Sequence, residues 1–355
     1  MITLTSYFNS LFPKKDKLFV NSGRSAFQAV IEDFNLQNSK IAIQSFICSN
    51  FFAPFLIQNN ITPVTLDSSI NEPNVSLKEI KKAYNQNNDL KAIIIVHTFG
   101  RTNLEIAKIG EWCNQNNVIL IEDCVYCMGL KRKERFVGTF GDAAVFSFHK
   151  SFHFFIGAVY LKNKGKINIT PKKYKITTLD LFRFIKILPF GPKLINILRP
   201  MKKQTNFKID KVKPEILANP FYFKFLIISK KKINEGKRER VTQEFYLNLK
   251  KKIKNLEEYT LDFRVSDNFF YAISFYIDKK NKFYDKLMKK SIESNKRWIE
   301  PISTNNLITK KYKVRETPNA EIIAKRIVNI LINPNWSHKK IIKKSNSIAK
   351  ILADL

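Results

Sequence analysis

Residues 118–160, VILIEDCVYCMGLKRKERFVGTFGDAAVFSFHKSFHFFIGAVY, decide the reading of this chain. VILIED is a short β-branched run that ends in Glu122 and Asp123. AAVFSF is a second apolar run, with Ser147, His149 and Lys150 at or just beyond its end. Both read as buried strands. Ligands of open α/β sheets bind at the carboxyl ends of strands, so an acid and an amine 27 positions apart can converge there. If the first strand continues through residue 123, Glu122 and Asp123 project from opposite faces.

Working outward, the first 160 residues alternate strand-like and helix-like pieces. Phe19-Val20 is followed by Asn21-Ser-Gly-Arg-Ser25 and AFQAVIEDF, whose apolar positions 27, 30, 31 and 34 share one helical face. KIAIQSF then precedes NFFAPFLIQNN, ITPVTLD precedes SLKEIKKAYNQ, and AIIIVHTFG precedes LEIAKIGEWCNQNN. Single helices between strands predict a mostly parallel sheet flanked by helices. After residue 161 the pattern loosens. Residues 178–199 are broken by Pro189, Gly191 and Pro192 and read as two short helices, and 220–256 reads as largely helical. FFYAISFYI predicts a strand and AEIIAKRIVNIL a late helix. The expectation is an α/β fold with a large domain over 1–215 and a smaller α+β domain over 216–355.

A chain of 355 residues that is 44% hydrophobic buries a substantial core and is neither disordered nor fibrous. Its N-terminus lacks the order of a signal peptide, and no apolar run approaches the roughly 20 residues of a membrane helix, so the cytoplasm is expected. Cys48, Cys113, Cys124 and Cys127 are too few and too scattered for a disulfide framework. Cys124 and Cys127 form a CxxC without a second ligand pair, so small-residue packing is the favoured reading and no metal is expected. Residues 1–160 carry 16 Lys+Arg against 13 Asp+Glu, whereas 161–355 carry 46 against 17, so nearly all of the net charge of +32 belongs to the second half. No nucleic-acid module accompanies it. The field suits an anionic membrane surface or a phosphorylated substrate.

The opening segment supplies parts of a pyridoxal phosphate site. Such a site needs an amine for the cofactor's aldehyde, an acid for its pyridine nitrogen, a phosphate cradle and a surface for the ring. Lys150 is the candidate amine and Asp123 the candidate acid. Gly23, Arg24 and Ser25 precede a helix, where backbone amides and a hydroxyl meet an anion at the positive helix end, and Ser147 completes the cradle. Phe46 is a candidate to cover the ring and His97 to approach it. Core packing for the one and a structural hydrogen bond for the other stay open.

These motifs, in this order, resemble the DegT/StrS family of pyridoxal phosphate enzymes, chiefly sugar-nucleotide aminotransferases of the aspartate aminotransferase fold type. The resemblance covers most of residues 18–162. NSGRSAFQAVI is similar to the family's SGT-[SA]-AL helix start, VHTFG to its HxxG, VILIEDC to its V-[IV]-E-D-[AC], and GTFGDAAVFSF to its G-[ST]-FGD-x-x-x-[FY]-S-F. It implies a homodimer that transfers an amino group from an amino acid such as glutamate to a keto-sugar nucleotide, with Asp123 on the pyridine nitrogen and Ser147 on the phosphate. There are departures. Many members carry lysine five residues after the serine, where this chain has Phe152; Lys150, three after it, matches a branch with a shorter turn. Sugar dehydratases of the same fold use histidine in place of that lysine, which keeps His149 and His153 as alternatives. The glycine-rich stretch is reduced to Ile156-Gly157-Ala158, Arg24 replaces a small residue, and no Asn-x-Arg segment is evident near 216–240. A binding protein that retains the fold is the remaining alternative.

Overall fold

The computed structural model describes residues 2–151, 157–173, 216–218, 227–228, 235–260, 272–296 and 298–355. The N-terminal helix α1 (Leu4–Leu11) leads into β1 (Asp16–Val20), and the predicted alternation follows: α2 (Gly23–Asp33), β2 (Lys40–Gln44), α3 (Ser49–Gln58), β3 (Thr62–Leu66), α4 (Leu77–Asn85), β4 (Leu90–Val96), α5 (Ile106–Gln115) and β5 (Ile119–Asp123). After a long connection come β6 (Ala143–Ser147), α6 (Phe148–Ser151) and β7 (Ala158–Lys162). The seven strands form one sheet in the order β1-β7-β6-β5-β4-β2-β3. Only β7 runs against its neighbours, pairing antiparallel with both β1 and β6. The expected α/β architecture is present.

Burial on both faces explains the strand sequences. Ile93, Ile94, Ile95 and Val96 are all essentially inaccessible, as parallel strands covered by helices require. Alternate residues serve different cores. Ile121, Ala143 and Val145 pack with Phe27, Val30 and Ile31 of α2 on one side of the sheet, and Leu120, Ile93 and Ile95 pack with Ile106 and Ile109 of α5 on the other. Ala144 and Phe146 join Phe8 and Phe12 of the N-terminal segment in a third cluster.

Two glycines are required by the backbone here, one for a close approach to β5 and one for its conformation. A Cβ on Gly141 would stand 2.4 Å from the Leu120 carbonyl oxygen. Gly157 adopts φ +119°, a conformation that side chains oppose. There it ties two strand ends together: its N–H donates to Asn21 O (2.8 Å), while its own carbonyl accepts from Phe148 N (3.0 Å).

Beyond this sheet, α7 (Glu235–Lys250), β8 (Ala272–Tyr276), α8 (Lys280–Lys289), β9 (Ser294–Asn295), α9 (Pro318–Arg326), β10 (Ile327–Leu331) and α10 (His338–Ala353) form a smaller α+β unit around an antiparallel sheet of order β8-β10-β9. The late helix expected over AEIIAKRIVNIL is half right. Residues 327–331 are a strand, because β-branched IVNIL pairs with AISFY from Ala272↔Leu331 to Tyr276↔Ile327 and is covered on both faces. The helices expected within 178–199 and the boundary expected at 215/216 fall on or beside residues 174–215, outside the described residues.

The two units interlock at the carboxyl edge of the large sheet. Ser45, just after β2, meets Ser303 and Thr317 in a buried hydroxyl triangle with O···O distances of 3.1, 2.6 and 2.8 Å. Asp67, just after β3, accepts from the Asn319 and Ala320 amides (3.2 and 2.9 Å) and so caps α9, whose own N-cap residue Thr317 makes no capping bond.

Gly141→Ala should lower unfolding stability by more than about 2 kcal/mol, because the Leu120 backbone must move to admit the methyl group. Chemical denaturation checks it; an unchanged midpoint would show that the close approach is not a constraint.

Candidate active site

The alternation of β5 and β6 brings the predicted residues together. Asp123 follows Ile119 and Ile121 on the face covered by α2, and Ser147 follows Ala143 and Val145 on the same face of the next strand. Asp123 pairs with Val145 in the ladder, so Ser147 stands two residues beyond it toward the carboxyl edge. The α2 N-terminus lies over this edge, tied to the Ser147 turn through the Gly157 bridge.

Asp123 is buried, and among the described residues one donor reaches its side chain, the Val125 amide at 3.1 Å. Burial pushes its carboxyl up to about 7, against a smaller opposing pull from that amide. A carboxyl this poorly compensated is suited to a partner that brings its own N–H. Lys150, on α6, directs its ammonium to 5.6 Å from the ring centre of Tyr126, three residues beyond Asp123. Lysine and acid thus both stand at the carboxyl ends of adjoining strands.

The start of α2 is partly self-capped. Ser22 Oγ accepts from Ser25 N (3.2 Å), and Ser25 Oγ donates to Asn21 Oδ1 (2.6 Å). Space beside Gly23 is open, with nothing within 4 Å of where a Cβ would stand. Arg24 departs from the expectation that it lines the cradle. Its side chain is exposed and its guanidinium carbon lies 6.0 Å from the Phe51 ring centre, because the first helical turn aims position 24 at α3.

His97 and Phe46 are corrected more firmly. His97 follows Ile93 and Ile95 in the alternation, which sends it to the face opposite Asp123. There Asn103 N donates to its Nδ1 (3.1 Å), which places the ring proton on Nε2, facing Glu122 Oε2 at 3.2 Å. No ring nitrogen remains for a cofactor. Phe46 has no accessible surface; its ring sits edge-on to Trp298 (5.4 Å) and Phe99 (6.1 Å), so it is a core residue. The side chain of His149, and all of His153 and Phe152, lie outside the described residues.

Sequence reasoning missed two features. Phe99 (φ +53°) and Trp298 (φ +61°) hold unusual left-handed backbone conformations and stack at 4.2 Å between ring centres. With Tyr126, 6.2 Å from Phe99, they continue an aromatic wall away from Lys150. The second feature is Glu122. It accepts from Gly138 N (2.9 Å), Phe140 N (2.7 Å) and Gly141 N (2.8 Å), besides facing His97. Its acidic neighbour in the sequence and the two glycines of GTFG were the available signals. Cys124 lies within 4.8 Å of this pair's ligating atoms, but three amide N–H groups already point at the carboxylate and oppose a cation there. Burial raises the Cys124 and Cys127 thiols well above their usual range, consistent with packing rather than redox chemistry.

Residues 6–159 match the family model described as the DegT/DnrJ/EryC1/StrS aminotransferase family. The likeness to this family extends over somewhat less than half of the chain. Over 87 residues it is 37% identical to the GDP-perosamine synthase of Escherichia coli O157:H7, a match spanning 24% of this chain and 23% of that enzyme. Among solved structures it resembles the aminotransferase TlmJ of Streptoalloteichus hindustanus, with a TM-score of 0.73, 14% identity and coverage of 99% of this chain and 89% of the other. The E. coli GDP-4-keto-6-deoxy-D-mannose-3-dehydratase with bound hydrated PLP is similar too, at TM-score 0.71 and 19% identity, covering 98% and 91%. At these identities the two structures establish a shared fold.

Asp123 also sets a pH dependence. Its folded pKa of about 7 lies above the ordinary 3.8, so the stability it permits is complete below pH 3.8 and is lost as pH rises through 7. Asp123→Asn should therefore be more stable than the parent above pH 7, by on the order of 1–3 kcal/mol, and nearly indistinguishable below pH 4. Denaturant titrations of cofactor-free protein at pH 4 and 8 test this, and equal effects at both would refute the assignment.

Proposed function

We propose that this protein is a pyridoxal phosphate-dependent aminotransferase that moves an amino group from an amino acid, such as glutamate, to a keto-sugar nucleotide. The observation that carries the reading is the buried Asp123, short of hydrogen-bond donors, on the same face as Ser147 and beside the lysine-bearing α6. These residues fit the cofactor. Bound pyridoxal phosphate would supply an aldehyde and an electron-withdrawing ring.

Asp123 would hold the proton shared with the ring nitrogen, and its burial strengthens that bond by excluding water. Ser147 and the amides at the start of α2 would donate to the phosphate, where the helix end favours negative charge. Lys150 Nζ would hold the cofactor covalently and, once displaced, carry the proton between substrate carbon atoms as general base and acid. Tyr126 lies under its path at 5.6 Å and limits where the ammonium can go.

A dehydratase of the same fold would rest on histidine chemistry at this turn; amino transfer is the reading that gives Lys150, held 5.6 Å from the Tyr126 ring centre, a role. A non-catalytic binding protein would have no use for an undercompensated buried acid. We propose further a homodimer at the inner face of the membrane, supported by the basic second half: α8 and α10 pack together and expose Lys282, Lys289, Lys339, Lys340 and Lys343. No helix of the described residues is long and apolar enough to cross a membrane.

Protein reconstituted with pyridoxal phosphate should turn yellow, and borohydride should fix the pyridoxyl group on Lys150, as peptide mapping would reveal. Lys150→Ala should lose the trapping and reduce amino transfer from glutamate to keto-sugar nucleotides by at least about 10³-fold. Trapping that survives this substitution would discard the lysine assignment, and a colourless parent protein the cofactor. Cosedimentation with phosphatidylserine vesicles should fall as salt rises from 0.05 to 0.5 M; salt-independent or absent binding would remove the membrane proposal.

A further inference from the structure

We propose that Glu122 is a positioning residue that fixes Asp123 for its partner. This rests on the cofactor reading above. Glu122 and Asp123 are consecutive, so one peptide unit transmits the constraint, and strand alternation sends their side chains to opposite faces. On its own face Glu122 is fastened at both oxygens. Oε1 accepts from the Phe140 and Gly141 amides, while Oε2 accepts from the Gly138 amide and from His97 Nε2.

The anchors are themselves fixed. Asp142, next after Gly141, holds Leu120 N through Oδ2 at 2.9 Å, and its N–H donates to Leu120 O at 2.8 Å, so the GTFGD turn wraps the strand that bears Asp123. Asn163 Nδ2 donates to the Gly138 and Gly141 carbonyls at 2.9 and 2.8 Å, bracing the turn from β7's end. His97 grips twice. Its ring meets Glu122, and its main-chain N–H donates to Asp123 O at 3.2 Å. On the other edge, Cys124 N donates to Val145 O at 2.9 Å.

The backbone of Asp123 is thus held on both sides and its neighbour's side chain is bolted below it. The Asp123 side chain, with its single described donor, has no comparable anchors of its own. Its direction depends on the backbone, and the backbone depends on Glu122. That division leaves Asp123 Oδ2 for a ring nitrogen while still confining the carboxyl, as a preorganised partner must be.

A double-mutant cycle distinguishes positioning from plain stabilisation. Pyridoxal phosphate affinity, followed by absorbance, would be measured for the parent, Glu122→Gln, Asp123→Asn and the double variant, with unfolding stability recorded for each. Glu122→Gln should weaken binding about tenfold, and in the Asp123→Asn background it should change affinity less than about twofold. Equal losses in both backgrounds, or no loss in the first, would overturn the proposal.

Cofactor-free protein gives an independent readout. Glu122→Gln should lower the pH at which the Asp123-dependent loss of stability ends, about 7 in the parent, because water admitted beside a loosened Asp123 relieves the burial that raises its carboxyl. An unmoved end point counts against it. If the parent binds no pyridoxal phosphate, the cofactor reading falls, and this end point decides the positioning role alone. Should Glu122→Gln fail to fold, His97→Gln, which keeps an N–H donor, is read through the same cycle with an expected loss of about threefold.

Discussion

Two consecutive carboxyl groups at the end of a buried strand cannot both be hydrated, and this constraint organises the molecule's centre. Leaving a carboxylate in an apolar interior is costly unless hydrogen bonds replace water. Glu122 receives them from three amides and a histidine, which requires a turn that folds back under β5 and a histidine delivered by the neighbouring strand. Asp123 receives one. The asymmetry creates a stable structural acid on one face and a needy chemical one on the other.

Much of the surrounding sequence follows from that arrangement. Gly141 is small because Leu120 O lies where its side chain would be, and Asp142 returns hydrogen bonds to the same residue. Gly157 has its positive φ so that β7 can turn back beside α2 and join the two candidate phosphate contacts. The C-terminal unit closes the rim. The Ser45–Ser303–Thr317 triangle and the Asp67 cap fasten it to strand ends, and Trp298 reaches across to stack on Phe99. Both aromatics stand in conformations that cost roughly 1–2 kcal/mol, which burial against Phe46 and each other offsets. The wall beside Lys150 is therefore assembled from both halves of the chain.

The parallel sheet was legible because buried strands such as AIIIV and AAVFS are short and apolar and the helices between them are amphipathic. The placing of Asp123 and Ser147 at the carboxyl ends of adjoining strands followed from strand ends and motif order. The sequence left structural and cofactor roles open for His97 and Phe46: a histidine after a strand looks the same whichever face it takes, and only the pairing of β4 with β5 set its parity against Glu122. Arg24 misled for a related reason. A position in a helix's first turn offers its amide to one side and its side chain to another, and the packing of α3 chose Phe51 as its neighbour. The IVNIL strand was taken for helix because an apolar run that follows a helix has no stop signal, and its strand partner lies 55 residues earlier at Ala272–Tyr276.

Local periodicity and motifs of fixed spacing determined the alternation of elements, the fold class, the family likeness over residues 6–159 and the acid and amine at two strand ends. Only the tertiary structure decided how unequally the two adjacent acids are hydrogen-bonded. The distinction rests on donors from residues 97, 138, 140 and 141 gathering on one face of β5, and no local pattern specifies how many hydrogen bonds a buried carboxylate will receive.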